Sequence, residues 1–81
     1  MKAQYLVDMV NDIGAFFDAE SGHAEAPKSV ASHVSRFWDP RMRREIIAHY
    51  QKAGGAGLSD VALKAVALLA QQAAEKSSEA H

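Results

Sequence analysis

The tripeptide Trp38-Asp39-Pro40 constrains the fold of this chain more than any other segment. A residue before proline is pushed out of the α-helical region, so a helix that reaches Trp38 must break at Asp39. Asp39 can then cap a new helix by accepting backbone N–H groups, with Pro40 at the first helical position. The tripeptide therefore predicts a sharp corner between two helices.

Apolar residues recur at helical spacing on both sides of this corner, and the pattern predicts four helices. The first ends near Asp18, and a mobile polar loop follows over residues 18–27. The second runs from Pro27 to about Phe37. The third begins at Pro40 and ends at a glycine-rich turn, and the fourth begins after a cap. The residues expected at the glycine turn and at this cap are Gly54, Gly55, Gly57 and Ser59.

The same spacing predicts which side chains face the core. They are Leu6, Met9, Val10, Ile13, Phe16 and Phe17 in the first helix, Val30, Ala31, Val34 and Phe37 in the second, Met42, Ile46, Ile47 and Tyr50 in the third, and Val61, Ala62, Ala65, Val66 and Leu69 in the fourth. Gly14 lies inside the first helix, where it indicates either close approach of another backbone or a tolerated loss of about 1 kcal/mol in helix propensity.

The predicted fold is all-α, a small bundle of three to four helices joined by the Trp-Asp-Pro corner and the glycine-rich turn. The length of 81 residues suffices for one domain, and we assign residues 1–75 to a helical domain and residues 76–81 to a flexible tail. So short a chain buries only about 60–65% of its unfolded surface, so a stabilising partner is expected. No segment resembles a signal peptide or a membrane span, which predicts a cytoplasmic protein.

No residue pattern points to catalysis or to metal binding. The absence of cysteine excludes thiolate ligands and cysteine nucleophiles. The four histidines, at positions 23, 33, 49 and 81, form no His-x₃-His pair and are interpreted as surface residues. The serines lack a nucleophile-elbow context, and the glycines at 54, 55 and 57 follow a helix and lack the Gly-Lys-Ser/Thr ending of a phosphate loop. We therefore predict no catalytic, cofactor-binding or metal-binding residue.

Charge is distributed unevenly along the chain despite a net charge of −1. Residues 1–27 carry one lysine against five acids, a net −4, whereas residues 28–52 carry six cations against two acids, a net +4. Arginine, methionine and aromatic residues, the types enriched in protein interfaces, meet at the corner. The predicted partner-binding residues are Arg36, Phe37, Trp38, Pro40, Arg41, Met42, Arg43 and Arg44.

Several alternatives stay open at this corner. Trp38 either contacts a partner or folds under the turn into the core, and the arginines either bind a partner or pair with the acids of the first helix. A nucleic-acid-binding regulator is a second function to consider, although the sequence pI of about 6.4 argues against it. A third is a self-associating helical protein that covers an exposed aromatic face by forming a homodimer.

Three segments together resemble the delta subunit of the soluble NAD-dependent, molybdenum-containing formate dehydrogenases of bacteria. The matching residues are Leu6, Met9, Asn11, Ile13, Gly14, Phe16 and Phe17, then His33 with the run Arg36-Phe37-Trp38-Asp39-Pro40-Arg41-Met42-Arg43, and finally Gly54, Gly55, Gly57 and Leu58. The resemblance covers roughly residues 4–70, and the run from Arg36 to Arg43 is its most distinctive part.

The resemblance implies a non-catalytic accessory subunit that assembles or stabilises a formate dehydrogenase by docking on its large catalytic subunit. It also implies that other chains hold the cofactors of the complex, namely molybdopterin guanine dinucleotide, iron–sulfur clusters, FMN and NAD. This chain is expected to bind none of them, and neither nucleic acid nor a membrane is an expected partner.

Overall fold

Four α-helices form between residues 2 and 79 in the computed structural model, which describes the backbone of those residues and the side chains of residues 2–75. They are α1 (Ala3–Ser21), α2 (Ala26–Phe37), α3 (Pro40–Ala53) and α4 (Asp60–Glu79). The all-α prediction is confirmed. The predicted flexible tail over residues 76–81 lies outside the described side chains and stays a prediction.

The ends of the helices follow from local chemistry. The Asp39 carboxylate accepts the Met42 backbone N–H at 3.0 Å, and Pro40 begins α3, as predicted. Gly54, in the left-handed conformation at φ 65° and ψ 18°, ends α3. The Ser59 hydroxyl accepts the Ala62 backbone N–H at 3.2 Å and caps α4. The predictions at these three helix ends are confirmed.

The first helix extends beyond its predicted end. It continues from Asp18 through Ser21 and stops at Gly22, whose φ is 84°, so the connection to α2 contains only residues 22–25. No glycine or proline interrupts the chain between Asp18 and Gly22, so nothing in that segment ends the helix earlier. A hydrogen bond of 2.8 Å between the His23 ring and the Asp18 carboxylate closes the short turn.

The core lies among all four helices, and α1 and α4 each pack against the other three. Its buried apolar side chains are Leu6, Val7, Val10, Ala26, Val30, Ala31, Val34, Trp38, Ile46, Val61, Ala62, Ala65, Val66 and Leu69. Gly14 is also buried, and a Cβ atom there would lie 3.4 Å from Val61 and 3.7 Å from the Ala62 backbone nitrogen. The close approach of α4 to Gly14 is therefore confirmed.

Two phenylalanines predicted to face the core are exposed instead. Phe16 is 57% exposed and Phe37 is 70% exposed. The buried positions of α1 are Leu6, Val7, Val10 and Gly14. This row ends at Gly14 because the N-terminus of α4 packs against the glycine, and Phe16 lies on another side of the helix. The prediction was wrong because apolar spacing alone does not show where the neighbouring helices end.

The Asn11 side chain joins α1 to the glycine-rich turn. Its amide group donates to the Gly57 carbonyl oxygen at 2.9 Å, and its amide oxygen accepts the Ser59 backbone N–H at 2.9 Å. These two bonds hold the segment between α3 and α4 against α1, and periodicity gave no sign of them. None of the four helices has the length and apolar character that a membrane crossing requires.

Candidate partner-binding surface

The corner between α2 and α3 exposes one of its two aromatic residues and buries the other. Trp38 has an extended backbone, with φ −83° and ψ 141°, and its N–H donates to the Val34 carbonyl oxygen at 3.0 Å. Its side chain is only 5% exposed, whereas that of Phe37 is 70% exposed. Of the two interpretations of Trp38, the structure therefore shows the one that places it in the core.

The burial of Trp38 follows a spacing of four residues along α2. Val30 and Val34 are both fully buried, and Trp38 continues the same row. Phe37 instead follows His33 at the same spacing, on the edge of the helix that faces α1. The sequence alone could not decide between the two side chains. A spacing of three residues from Val34 places Phe37 in the core, whereas a spacing of four places Trp38 there.

Arg43, in α3, forms hydrogen bonds across the corner to the end of α2. Its guanidinium donates to the Ser35 carbonyl oxygen at 3.2 Å and also to the Trp38 carbonyl oxygen. These are carbonyl groups at the C-terminal end of α2, which lack partners within the helix. Arg43 thus stabilises the corner, and part of its hydrogen-bonding capacity is taken up by these two carbonyl groups.

We expect Arg43→Met to lower the free energy of unfolding by about 1–2 kcal/mol, because the partly buried Trp38 carbonyl group loses a charged donor. Urea denaturation of the purified chain measures this change. Arg41→Met is the matched control, since Arg41 is exposed and should change the free energy by less than about 0.5 kcal/mol. Equal losses in the two variants would contradict the stabilising role of Arg43.

The remaining predicted site residues lie on the outside of the corner. Arg36, Pro40, Arg41 and Arg44 are exposed, and Met42 is half-buried against the core. Among the side chains of residues 2–75, no lysine or arginine forms an ion pair with a carboxylate, and the one close contact of a histidine with a carboxylate is that between His23 and Asp18. The arginines of the corner therefore do not pair with the described carboxylates of α1. We call Arg36, Arg41 and Arg44 the basic corner.

An aromatic cluster lies beside the basic corner and was not predicted. It consists of Phe16, Phe17, His33 and Phe37, with centroid distances of 5.1 Å for Phe16–Phe17, 5.9 Å for Phe17–His33 and 4.8 Å for His33–Phe37. The Arg36 guanidinium carbon lies 6.0 Å from the centroid of the Phe37 ring. The cluster joins α1 to α2 on the surface.

The histidines lie in separate environments. His23 bonds to Asp18, His33 belongs to the aromatic cluster, and the His49 ring lies 2.8 Å from the Ala56 carbonyl oxygen. His81 is outside the described residues. Within the described part of the chain, no group of three or more potential metal ligands occurs.

The comparison with protein families gives one match. The family model described as NADH-dependent formate dehydrogenase delta subunit FdsD matches residues 5–66. This range contains α2, α3, all of α1 except its first two residues, and the beginning of α4. The matched region contains the basic corner and the aromatic cluster. No curated protein and no solved structure matches the chain.

Proposed function

Since the chain belongs to the delta-subunit family of the NADH-dependent formate dehydrogenases, we propose that it is a non-catalytic accessory subunit that docks on the large catalytic subunit. In this proposal, docking assembles or stabilises the complex. The complex itself is proposed to lie in the bacterial cytoplasm. The observation that carries the proposal is the family match over residues 5–66.

The proposal assigns the redox cofactors to other chains of the complex. Iron–sulfur clusters are held mainly by cysteine thiolates, and this chain has no cysteine. The histidines and carboxylates of its described residues form no cluster of three. These residues therefore do not fit an iron–sulfur cluster, and no motif in the chain suggests a site for FMN, NAD or the molybdopterin cofactor.

In this proposal the basic corner forms part of the contact with the large subunit. Arg36, Arg41 and Arg44 are exposed and make no ion pair with the described carboxylates. Arginine binds carboxylates in a bidentate geometry and is enriched at interface hot spots. Trp38 and Arg43 contribute indirectly, because their burial and hydrogen bonds hold the corner in shape.

A charge-reversal experiment tests the basic corner. The double variant Arg41→Glu/Arg44→Glu, co-expressed with a tagged large subunit, should be recovered with that subunit at a level at least about tenfold lower than the unmodified chain. Lys52→Glu/Lys64→Glu is the control, because both lysines are exposed and the change in net charge is the same. Undiminished recovery of the arginine variant would exclude the basic corner as a contact.

Stoichiometry distinguishes a permanent subunit from an assembly factor. A permanent subunit would be present in the purified active enzyme at one copy per large subunit, measured by quantitative mass spectrometry. An assembly factor would accompany only large subunits that lack their cofactor. Absence of the chain from both forms would contradict the proposed function.

A further inference from the structure

Most of the exposed large hydrophobic side chains belong to the aromatic cluster. In the described part of the chain, the exposed large hydrophobic residues are Tyr5, Phe16 and Phe37. Phe16 and Phe37 are the two ends of the cluster, and Phe17 and His33 connect them. Contiguous exposed aromatic surface of this kind marks interaction sites, whereas a single exposed tyrosine needs no explanation.

Cations surround the cluster on the α2 side. A shallow groove there is lined by Phe17, Lys28, Ser29, Ser32, His33, Arg36 and Phe37. Phe16 is not part of the lining but adjoins the groove through its contact with Phe17. The lining contains two cations and no acidic residue. Lys28 and Arg36 are eight residues apart on α2, which places their backbones about 12 Å apart along the helix axis. Neither forms an ion pair with a described carboxylate.

The lining groups define the chemistry of an occupant. Lys28 and Arg36 are donors without acceptor capacity, and the hydroxyl groups of Ser29 and Ser32 can also donate. The phenylalanine rings between them favour an apolar or aromatic side chain. A complementary segment therefore carries one or two apolar side chains flanked by carboxylates.

A second copy of this chain fits the groove poorly. In a two-fold symmetric dimer the same surface contacts itself, so Lys28 and Arg36 would face the same two cations on the other copy. Like charges in contact are strongly unfavourable at an interface. A nucleic-acid strand is also disfavoured, because residues 1–27, which include the α1 half of the cluster, carry a net charge of −4.

From these observations we infer that this groove, extended by the adjoining Phe16 ring, is a docking groove for an acidic, apolar segment of the large catalytic subunit. The inference rests on the proposed function and deepens it. It extends the contact from the basic corner along α2 to α1, and it assigns Phe16, Phe17, Lys28 and His33 to the interface. Arg36 belongs to both the basic corner and the groove, whereas Phe37 belongs to the groove.

Removal of the exposed rings tests the apolar part of the groove. Phe16→Ser/Phe37→Ser should reduce recovery with the tagged large subunit at least about tenfold. The urea midpoint of the isolated double variant should shift no more than the urea midpoint of the control variant does. The control is Tyr5→Ser, since Tyr5 is 59% exposed and lies eleven residues before Phe16, about 16 Å along α1. Equal recovery of both variants would overturn the inference.

Cross-linking tests the acidic part. A zero-length carbodiimide reagent adds to a carboxylate to give an activated ester. The Lys28 amine then attacks this ester, so that an amide bond forms between the two chains and the urea derived from the reagent leaves. Mass spectrometry of the assembled complex should find Lys28 joined to an aspartate or glutamate of the large subunit. Lys28→Arg keeps the charge but removes the reactive amine, so this cross-link should disappear while recovery with the large subunit is retained.

The outcomes separate this inference from the proposed function. If the unmodified chain is not recovered with the large subunit, the proposed function fails. If it is recovered but Lys28 cross-links to a second copy or to no other chain, the docking groove alone is wrong. Loss of recovery after nuclease treatment would assign the surface to nucleic acid and would also overturn the inference.

Discussion

Trp38→Ala is expected to lower the free energy of unfolding by about 3–5 kcal/mol, because the change leaves a large cavity in the core. The indole is 5% exposed and packs among the buried side chains of the core. A domain of this size has a total stability of roughly 4–12 kcal/mol. The variant should therefore lose at least about a quarter of the total stability of the chain, and all of it at the lower end of that range.

Phe37→Ala is the matched control for this experiment. Phe37 is the neighbouring aromatic residue but is 70% exposed, so its loss should change the free energy of unfolding by less than about 0.5 kcal/mol. Thermal and urea unfolding followed by circular dichroism measure both variants, since Trp38 is the only tryptophan and its fluorescence is lost in one of them. A larger loss in Phe37→Ala than in Trp38→Ala would contradict the observed burial.

The same pair of variants changes how a binding experiment is interpreted. Loss of recovery with the large subunit in Trp38→Ala would report unfolding of the chain, whereas loss in Phe37→Ala would report a missing contact. Substitutions at Arg41, Arg44 and Phe37 are therefore the informative ones for docking.

Gly55→Ala has the second largest expected effect. Gly55 is buried at φ 76°, a conformation that costs a residue with a Cβ atom about 1–2 kcal/mol. The new Cβ would also collide with the Leu63 side chain and lie 3.1 Å from that of Leu58. Repacking around an inserted methyl group typically costs about 1–3 kcal/mol. We expect a total loss of about 2–5 kcal/mol in the free energy of unfolding.

Gly54→Ala separates the two contributions. Gly54 has a similar backbone conformation, with φ 65°, but a Cβ atom there would have no neighbour within 4 Å. Its substitution should cost only the backbone part, about 1–2 kcal/mol. Urea denaturation of both variants gives the difference, and equal losses would show that the leucines around Gly55 move aside without cost.

Local signals made most of the fold predictable from the sequence. Helix ends are set by residues that act on their own backbone or on the backbone of residues a few positions away, here Asp39 with Pro40, Gly54 and Ser59. These helix ends could therefore be predicted without knowledge of the tertiary structure. The alanine-rich stripe of α4 was also predicted correctly, because its apolar residues occupy a single face. The end of α1 was missed, because a polar composition was interpreted as a loop although nothing broke the helix before Gly22.

The candidate site was only partly predictable. The exposure of Arg36, Arg41 and Arg44 agrees with the sequence pattern, and the contact of the corner with a partner stays a prediction. The aromatic cluster could not be found, because it depends on α1 and α2 bringing Phe17 and His33 within 5.9 Å. The spacing of residues within one helix does not predict a distance between side chains of two different helices.

The tripeptide Trp38-Asp39-Pro40 illustrates the division between sequence and tertiary structure. By itself the sequence determined that a corner forms there, because proline and a capping carboxylate act on the adjacent backbone. Only the tertiary structure decided that Trp38 turns into the core and Phe37 toward solvent. That choice depends on which side of α2 is covered by α1 and α4, and the covering helices come from parts of the chain far away in sequence.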